Sequence, residues 1–157
     1  MSGHTCKSNQ IHKPLIVGYG NILRGDDGVG PYVMDLLRDH VGNRAKLVTL
    51  PQLDISLALD IKESDLTIFV DAQTGIFDDL VHIERLYPAS LSCPSFSYTS
   101  HLVSIPFLLE LTQRWYNATP VCYLVTVKGV DFSLSEKISM TAKEAARLAV
   151  QKILELL

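Results

Sequence analysis

The stretch PLIVGYGNILRGDDGVG, residues 14–30, decides the fold. It opens with an apolar run over residues 14–20, which predicts a buried β-strand that ends in glycines. Apolar residues then recur at helical spacing from Val29 to Leu37, which predicts a helix that begins near residues 28–31 and ends near residues 40–42. A strand that passes through a glycine-rich loop into a helix is the opening unit of an α/β fold.

The rest of the chain continues this alternation. Further strands are predicted over residues 45–50, 66–72, 80–87 and 120–127, of which 80–87 has the alternating pattern of a half-exposed edge strand. Helices are predicted over residues 55–61, after Ser104 as N-cap, and from Thr141 to Leu157, where Thr141-Ala-Lys-Glu144 has the form of a capping box. We therefore expect a single-domain, doubly wound α/β fold with a mostly parallel five-stranded sheet flanked by helices. No element is predicted for residues 128–140.

The composition is that of a globular α/β chain and excludes several functions. The 157 residues are 47% apolar and 20% charged, with a formal net charge of −3. A nucleic-acid-binding protein needs a basic face, so nucleic acid is not the expected partner. The longest stretch without Asp, Glu, Lys or Arg, residues 86–109, is too rich in Ser and Pro to cross a membrane.

The N-terminal residues and the cysteines predict the cellular compartment of the protein. Residues 1–13 are polar and carry no apolar core of a signal peptide. We expect a disordered leader over residues 1–13 and a single α/β domain over residues 14–157. Cys6, Cys93 and Cys122 are odd in number and form no CxxC pair, which is typical of reduced thiols in a cytoplasmic protein.

The glycine-rich loop carries two adjacent aspartates. A dinucleotide fingerprint, GxGxxG, is not met, because Leu23 occupies the third glycine position. Asp26 and Asp27 also stand where a pyrophosphate would need bare N–H groups. One aspartate is sufficient to cap the following helix, so the pair indicates either caps alone or a functional carboxylate beside a cap.

Two further residues are predicted to meet this loop. Asp71 lies at the end of a buried strand, where it either makes a local turn or faces the ligand crevice of a doubly wound sheet. His101 lies in a loop that can fold over the same edge, although a lone histidine is more often structural. We expect Asp26, Asp27 and Asp71 to face one crevice. Asp27, Asp71 and His101 would then form an O/O/N set suited to nickel, zinc, manganese or iron.

Residues 16–30 resemble the signature of the nickel–iron hydrogenase maturation endopeptidases. Residues 69–72 (FVDA) resemble the strand-end aspartate of that family, and residues 99–102 (TSHL) its histidine segment. The resemblance implies that Asp27, Asp71 and His101 bind nickel. Many members carry Asp-Gly-Gly-Thr after the second strand, whereas residues 50–54 here read LPQLD. This version is similar to the branch that serves bidirectional, soluble hydrogenases.

The resemblance also implies a specific reaction. Such an endopeptidase removes a short C-terminal extension from the hydrogenase large-subunit precursor after nickel has been inserted, so the nickel is carried by the substrate. The candidate catalytic carboxylates are Asp27, Asp26 and Asp71, with Asp26 or Asp27 as the base that activates water. The alternative is a non-enzymatic nickel carrier that uses the same ligands.

Overall fold

A computed structural model describes residues 12–75, 78–89 and 103–157. The strands are β1 (Leu15–Tyr19), β2 (Lys46–Leu50), β3 (Leu66–Gln73), β4 (Val81–Leu86) and β5 (Val121–Lys128). The helices are α1 (Val29–Val41), α2 (Leu57–Lys62), α3 (Ile105–Tyr116) and α4 (Met140–Leu156), and a 3-10 turn, Gly25–Gly28, precedes α1.

The five strands form one sheet in the order β2-β1-β3-β5-β4. Four strands are parallel, and β4 runs antiparallel to β5 at the edge. The predicted mostly parallel five-stranded sheet is therefore confirmed. The edge position of β4 explains its alternating sequence, because one of its faces is covered and the other is open.

Helices cover both faces of the sheet. On one face α1 and α4 pack on Ile16, Ile68 and Val70. On the other face α2 and α3 pack on Val17 and Phe69. Adjacent residues of a strand thus point into opposite cores, which is why β1 and β3 read as continuous apolar runs. The doubly wound arrangement is confirmed.

The helix ends agree with the sequence in one case and differ in another. Ser104 is the N-cap of α3, as predicted, and its Oγ accepts the N–H of Phe107 at 3.4 Å. The capping box at residues 141–144 is wrong, because α4 begins one residue before it, with Ser139 as N-cap. The Ser139 Oγ accepts the N–H of Ala142 at 3.1 Å. Ser139 takes this position because it is also bound by Asp26, which lies far away in sequence.

Close packing of α1 on the sheet brings the glycine-rich loop over the strand ends. A Cβ on Gly30 would collide with the backbone carbonyls of Tyr19 and Val70. Glycine at this position therefore lets the start of α1 approach the ends of β1 and β3.

The predicted leader, residues 1–13, lies outside the described residues except for His12 and Lys13. In the part of the chain that is described, no helix is long and apolar enough to span a membrane.

Candidate functional site

The candidate site lies where the connections of the sheet diverge. β1 has β2 on one side and β3 on the other, and the helices that follow β1 and β2 cover opposite faces. This arrangement opens a crevice beyond the carboxyl ends of β1 and β3, which is where doubly wound proteins bind ligands. A cavity of about 540 Å³ occupies this position. Its polar wall includes Tyr19, Asp27, Gln52 and Asp71.

Two other cavities have similar volumes but lack this chemistry. One, of about 610 Å³, contains the carboxylates of Asp60 and Glu63, and that of Asp60 is paired with the Lys46 ammonium at 2.6 Å. The other, of about 500 Å³, lies between the ends of β4 and α3 and includes Arg85 and Cys122 but no carboxylate. Of these three cavities, the crevice at the ends of β1 and β3 is the one lined by two carboxylates that form no ion pair with a described residue, so we take it as the candidate site.

Asp71 lies on β3, half-buried, beside the last residue of β1. The hydroxyl of Tyr19 donates a hydrogen bond to its Oδ2 at 2.8 Å. Burial raises the pKa of Asp71, while hydrogen bonds from Tyr19 and the Ala72 N–H lower it and the negative charge of Asp27 raises it. The net result is a pKa above the usual value of an aspartate. A cation bound at this position would offset both unfavourable effects.

Asp27 stands opposite, in the 3-10 turn. Its Oδ2 accepts the backbone N–H of Asn21 at 2.7 Å. Gly20, with φ of +145°, passes so close to Asp27 that a Cβ there would collide with the Asp27 carbonyl oxygen. The charge of Asp27 raises the pKa of both Tyr19 and Asp71. The two predicted oxygen ligands therefore lie within electrostatic reach of each other.

The side chain of Tyr19, on β1, forms a hydrogen bond to Asp71, on β3. Burial, followed by the charge of Asp71 and the hydrogen bond to it, raises the pKa of the Tyr19 phenol. The phenol is therefore protonated at neutral pH and acts as a donor to the carboxylate.

Asp26 differs from its neighbour. It is fully buried, and its carboxylate accepts four hydrogen bonds, from the N–H groups of Val130 (2.8 Å), Asp131 (3.0 Å) and Ser139 (2.7 Å) and from the Ser139 hydroxyl (2.7 Å). Burial raises the pKa of Asp26, but the hydrogen bonds from Val130, Ser139 and Asp131 outweigh it and hold the pKa below its usual value.

The expectation that Asp26 faces the crevice with Asp27 and Asp71 is therefore wrong. Successive residues of a 3-10 turn point about 120° apart, so two adjacent side chains cannot share one direction. Asp26 points inward and ties the turn to the loop before α4, which leaves Asp27 as the carboxylate of this pair that borders the cavity.

The predicted third ligand, His101, lies outside the described residues. Within the described ranges, no three His, Cys, Asp or Glu side chains come together in a way that could hold a metal ion. Of the predicted O/O/N set, the structure thus describes the two oxygen ligands, Asp27 and Asp71.

Tyr19 and Gln52 line the cavity and were not predicted as site residues from the sequence. Tyr19 is the last residue of β1, and Gly18 of β1 pairs with Val70 of β3, so Tyr19 falls beside Asp71. Placing β1 next to β3 in the sheet was the signal from which the contact between Tyr19 and Asp71 could have been predicted. Gln52 belongs to the LPQLD segment, which sequence comparison marked only as a departure from the family pattern.

Charge on Asp71 is expected to reduce stability at neutral pH. Its raised pKa means that the folded chain holds this proton more tightly than the unfolded chain does. The stability that Asp71 contributes is therefore complete below its unfolded pKa of about 3.9 and is lost as pH rises through the folded pKa.

We expect Asp71→Asn, which keeps an acceptor for Tyr19 without the charge, to melt at the same or a higher temperature than the wild type at neutral pH. Its advantage should shrink toward about pH 4, where the wild-type carboxyl also becomes neutral. Thermal unfolding across this pH range measures the difference. A variant that melts well below the wild type at neutral pH contradicts this reading of Asp71.

Comparison with known proteins agrees with the fold. No protein-family model matches the chain. A protein of Methanocaldococcus jannaschii, described provisionally as a hydrogenase maturation protease, is 22% identical over 166 residues, covering 96% of this chain and 94% of that protein. The hydrogenase maturating endopeptidase HybD from E. coli shares the fold with a TM-score of 0.69 and 19% identity, covering 92% of this chain and 91% of HybD.

A second solved structure gives the same result. The [NiFe] hydrogenase maturation protease HycI from Thermococcus kodakarensis has a TM-score of 0.66 and 22% identity, covering 95% of this chain and 94% of HycI. The fold is that of the hydrogenase maturation endopeptidases along nearly the whole chain. The predicted similarity to the hydrogenase maturation endopeptidases is thereby confirmed at the level of the whole chain.

Proposed function

We propose that this protein is an endopeptidase that removes the C-terminal extension of a nickel–iron hydrogenase large-subunit precursor after nickel insertion. One observation carries the proposal. The half-buried carboxylates of Asp27 and Asp71 converge on a cavity at the switch point of this fold, within electrostatic reach of each other. Whole-length similarity to proteases named for this process supports the choice of substrate.

The nickel is part of the substrate in this proposal. Asp27 and Asp71 supply oxygen donors and His101 supplies a nitrogen donor, a set that suits a divalent transition metal already held by other ligands. An open, half-exposed pair of carboxylates is suited to a metal that arrives with the precursor. Precursor without nickel would then bind weakly, which makes metal insertion a condition for cleavage.

Cleavage of the peptide bond requires a base that activates water. Hydrolysis adds the oxygen of water to the peptide carbonyl carbon, passes a proton to the amide nitrogen and breaks the C–N bond. Asp26 or Asp27 was expected to act as the base. Asp26 is buried and its carboxylate already accepts four hydrogen bonds. Of these two carboxylates, the geometry therefore supports only Asp27 as the base that takes a proton from the attacking water.

We also propose that the protein acts in the cytoplasm. The described cysteine, Cys122, is an unpaired and buried thiol. Burial raises its pKa to about 12, so it stays protonated and unreactive. An unpaired thiol of this kind is in keeping with a reducing compartment.

A nickel carrier would use the same carboxylates, and equilibrium dialysis separates the two functions. We expect the protein alone to bind Ni²⁺ weakly, with no stoichiometric retention at micromolar metal, because the remaining ligands come from the precursor. Asp27→Asn serves as the control for binding at this site. Tight, stoichiometric retention of Ni²⁺ by the wild type and its loss in Asp27→Asn would instead support the carrier.

A further inference from the structure

The candidate ligands are each held by a donor from one short segment, residues 19–21. The Tyr19 hydroxyl is 2.8 Å from Oδ2 of Asp71, and the Asn21 N–H is 2.7 Å from Oδ2 of Asp27. Asn21 donates through its backbone, so any residue except proline can supply that bond. Tyr19 donates through its side chain, which makes the identity of this residue matter.

We infer that Tyr19 is a positioning residue that orients the Asp71 carboxylate toward the metal carried by the precursor. The inference rests on the proposed function and extends it to a residue that is not itself one of the proposed metal ligands.

The aromatic ring of Tyr19 is held in place by packing. It packs against the apolar cluster beneath α2 and α3, while its hydroxyl reaches the cavity. A tyrosine has only two side-chain torsions, so a packed ring places its hydroxyl at a defined point. The terminal side-chain torsion of an aspartate has a broad distribution of angles, and a hydrogen bond from a fixed donor restricts that distribution.

Donors on a carboxylate also determine which of its lone pairs stay available for a metal. Oδ2 of Asp71 already accepts the Tyr19 hydroxyl, and the Ala72 N–H is a second donor to this carboxylate, so a metal would take the lone pairs that these two donors leave open. Outer partners of this kind orient metal ligands, and their removal typically costs 10–100-fold in metal affinity. Tyr19 would therefore act on the strength of nickel-dependent binding rather than on the fold.

The test compares two forms of one substrate. The dissociation constant is measured for the large-subunit precursor from the same genome, loaded with nickel and free of nickel, using Tyr19→Phe, which removes only the hydroxyl. We expect Tyr19→Phe to weaken binding of the loaded precursor by about 10–100-fold and to leave binding of the nickel-free precursor unchanged. Tyr32→Phe, on α1 and packed on the opposite core, is the matched control and should change neither.

A double-mutant cycle tests whether Tyr19 acts through Asp71. In the Asp71→Asn background, Tyr19→Phe should cause no further loss of nickel-dependent binding. Equal weakening of both precursor forms by Tyr19→Phe, or an additive loss in the cycle, would overturn the inference while leaving the proposed function intact. A wild type that does not distinguish loaded from nickel-free precursor would refute the proposed function, and the inference with it.

Discussion

Asp27→Asn is expected to slow cleavage of the nickel-loaded precursor by at least about 100-fold, because loss of a direct metal ligand should exceed the 10–100-fold effect of an outer partner. Asn at this position can still accept the N–H of Asn21, so the local turn should survive. His101→Ala should have an effect of the same size. The mass of the precursor after incubation with each variant measures the loss.

Binding by the same variant separates the two roles open to Asp27. If Asp27 is a metal ligand, Asp27→Asn loses nickel-dependent binding of the precursor together with cleavage. If Asp27 is only the base, binding persists while cleavage is lost. Asp39→Asn, an exposed change on α1, controls for the loss of one negative charge and should process the precursor normally. Full cleavage by both Asp27→Asn and His101→Ala would contradict the site.

The second large effect is expected on folding rather than on chemistry. Asp26→Ala removes the acceptor of four hydrogen bonds that join the 3-10 turn to the loop before α4. Several polar donors then lose their partner together, so we expect a loss of about 3 kcal/mol or more in the free energy of unfolding. Urea denaturation measures this loss, and Asp39→Ala is the exposed control.

The acid dependence of stability should change in the same variant. The pKa of Asp26 is lowered in the folded chain, so its contribution is present above the unfolded pKa of about 3.9 and is lost as pH falls through the folded pKa. Asp26→Ala should therefore lose less stability on acidification below about pH 4 than the wild type does. A variant as stable as the wild type at neutral pH would show that Asp26 does not hold these elements together.

Most of the fold could be predicted from the chain because its signals are local. The apolar runs of β1 and β3 and the helical spacing of α1 are written in adjacent residues, and each is found within a residue or two of its predicted bounds. The start of α4 could not be predicted in this way. Ser139 becomes the cap because it is bound by Asp26, 113 residues earlier, and no local pattern contains that contact.

The site was predictable in part for a related reason. Asp71 and Asp27 follow from the rule that ligands bind at the carboxyl ends of strands, once β1 and β3 are placed side by side. The same rule cannot tell Asp26 from Asp27, because the direction of each side chain depends on the 3-10 turn between them. Tyr19 was missed since its partner, Asp71, lies 52 residues away. His101 stays a prediction.

The most direct test of the account is the mass of one precursor, with and without nickel, after incubation with the wild-type protein. We expect the nickel-loaded precursor to lose a single C-terminal peptide and the nickel-free precursor to keep its full mass. Cleavage of both forms at the same rate would contradict recognition of nickel at Asp27 and Asp71. An intact nickel-loaded precursor, in the presence of folded protein, would contradict the proposed function itself.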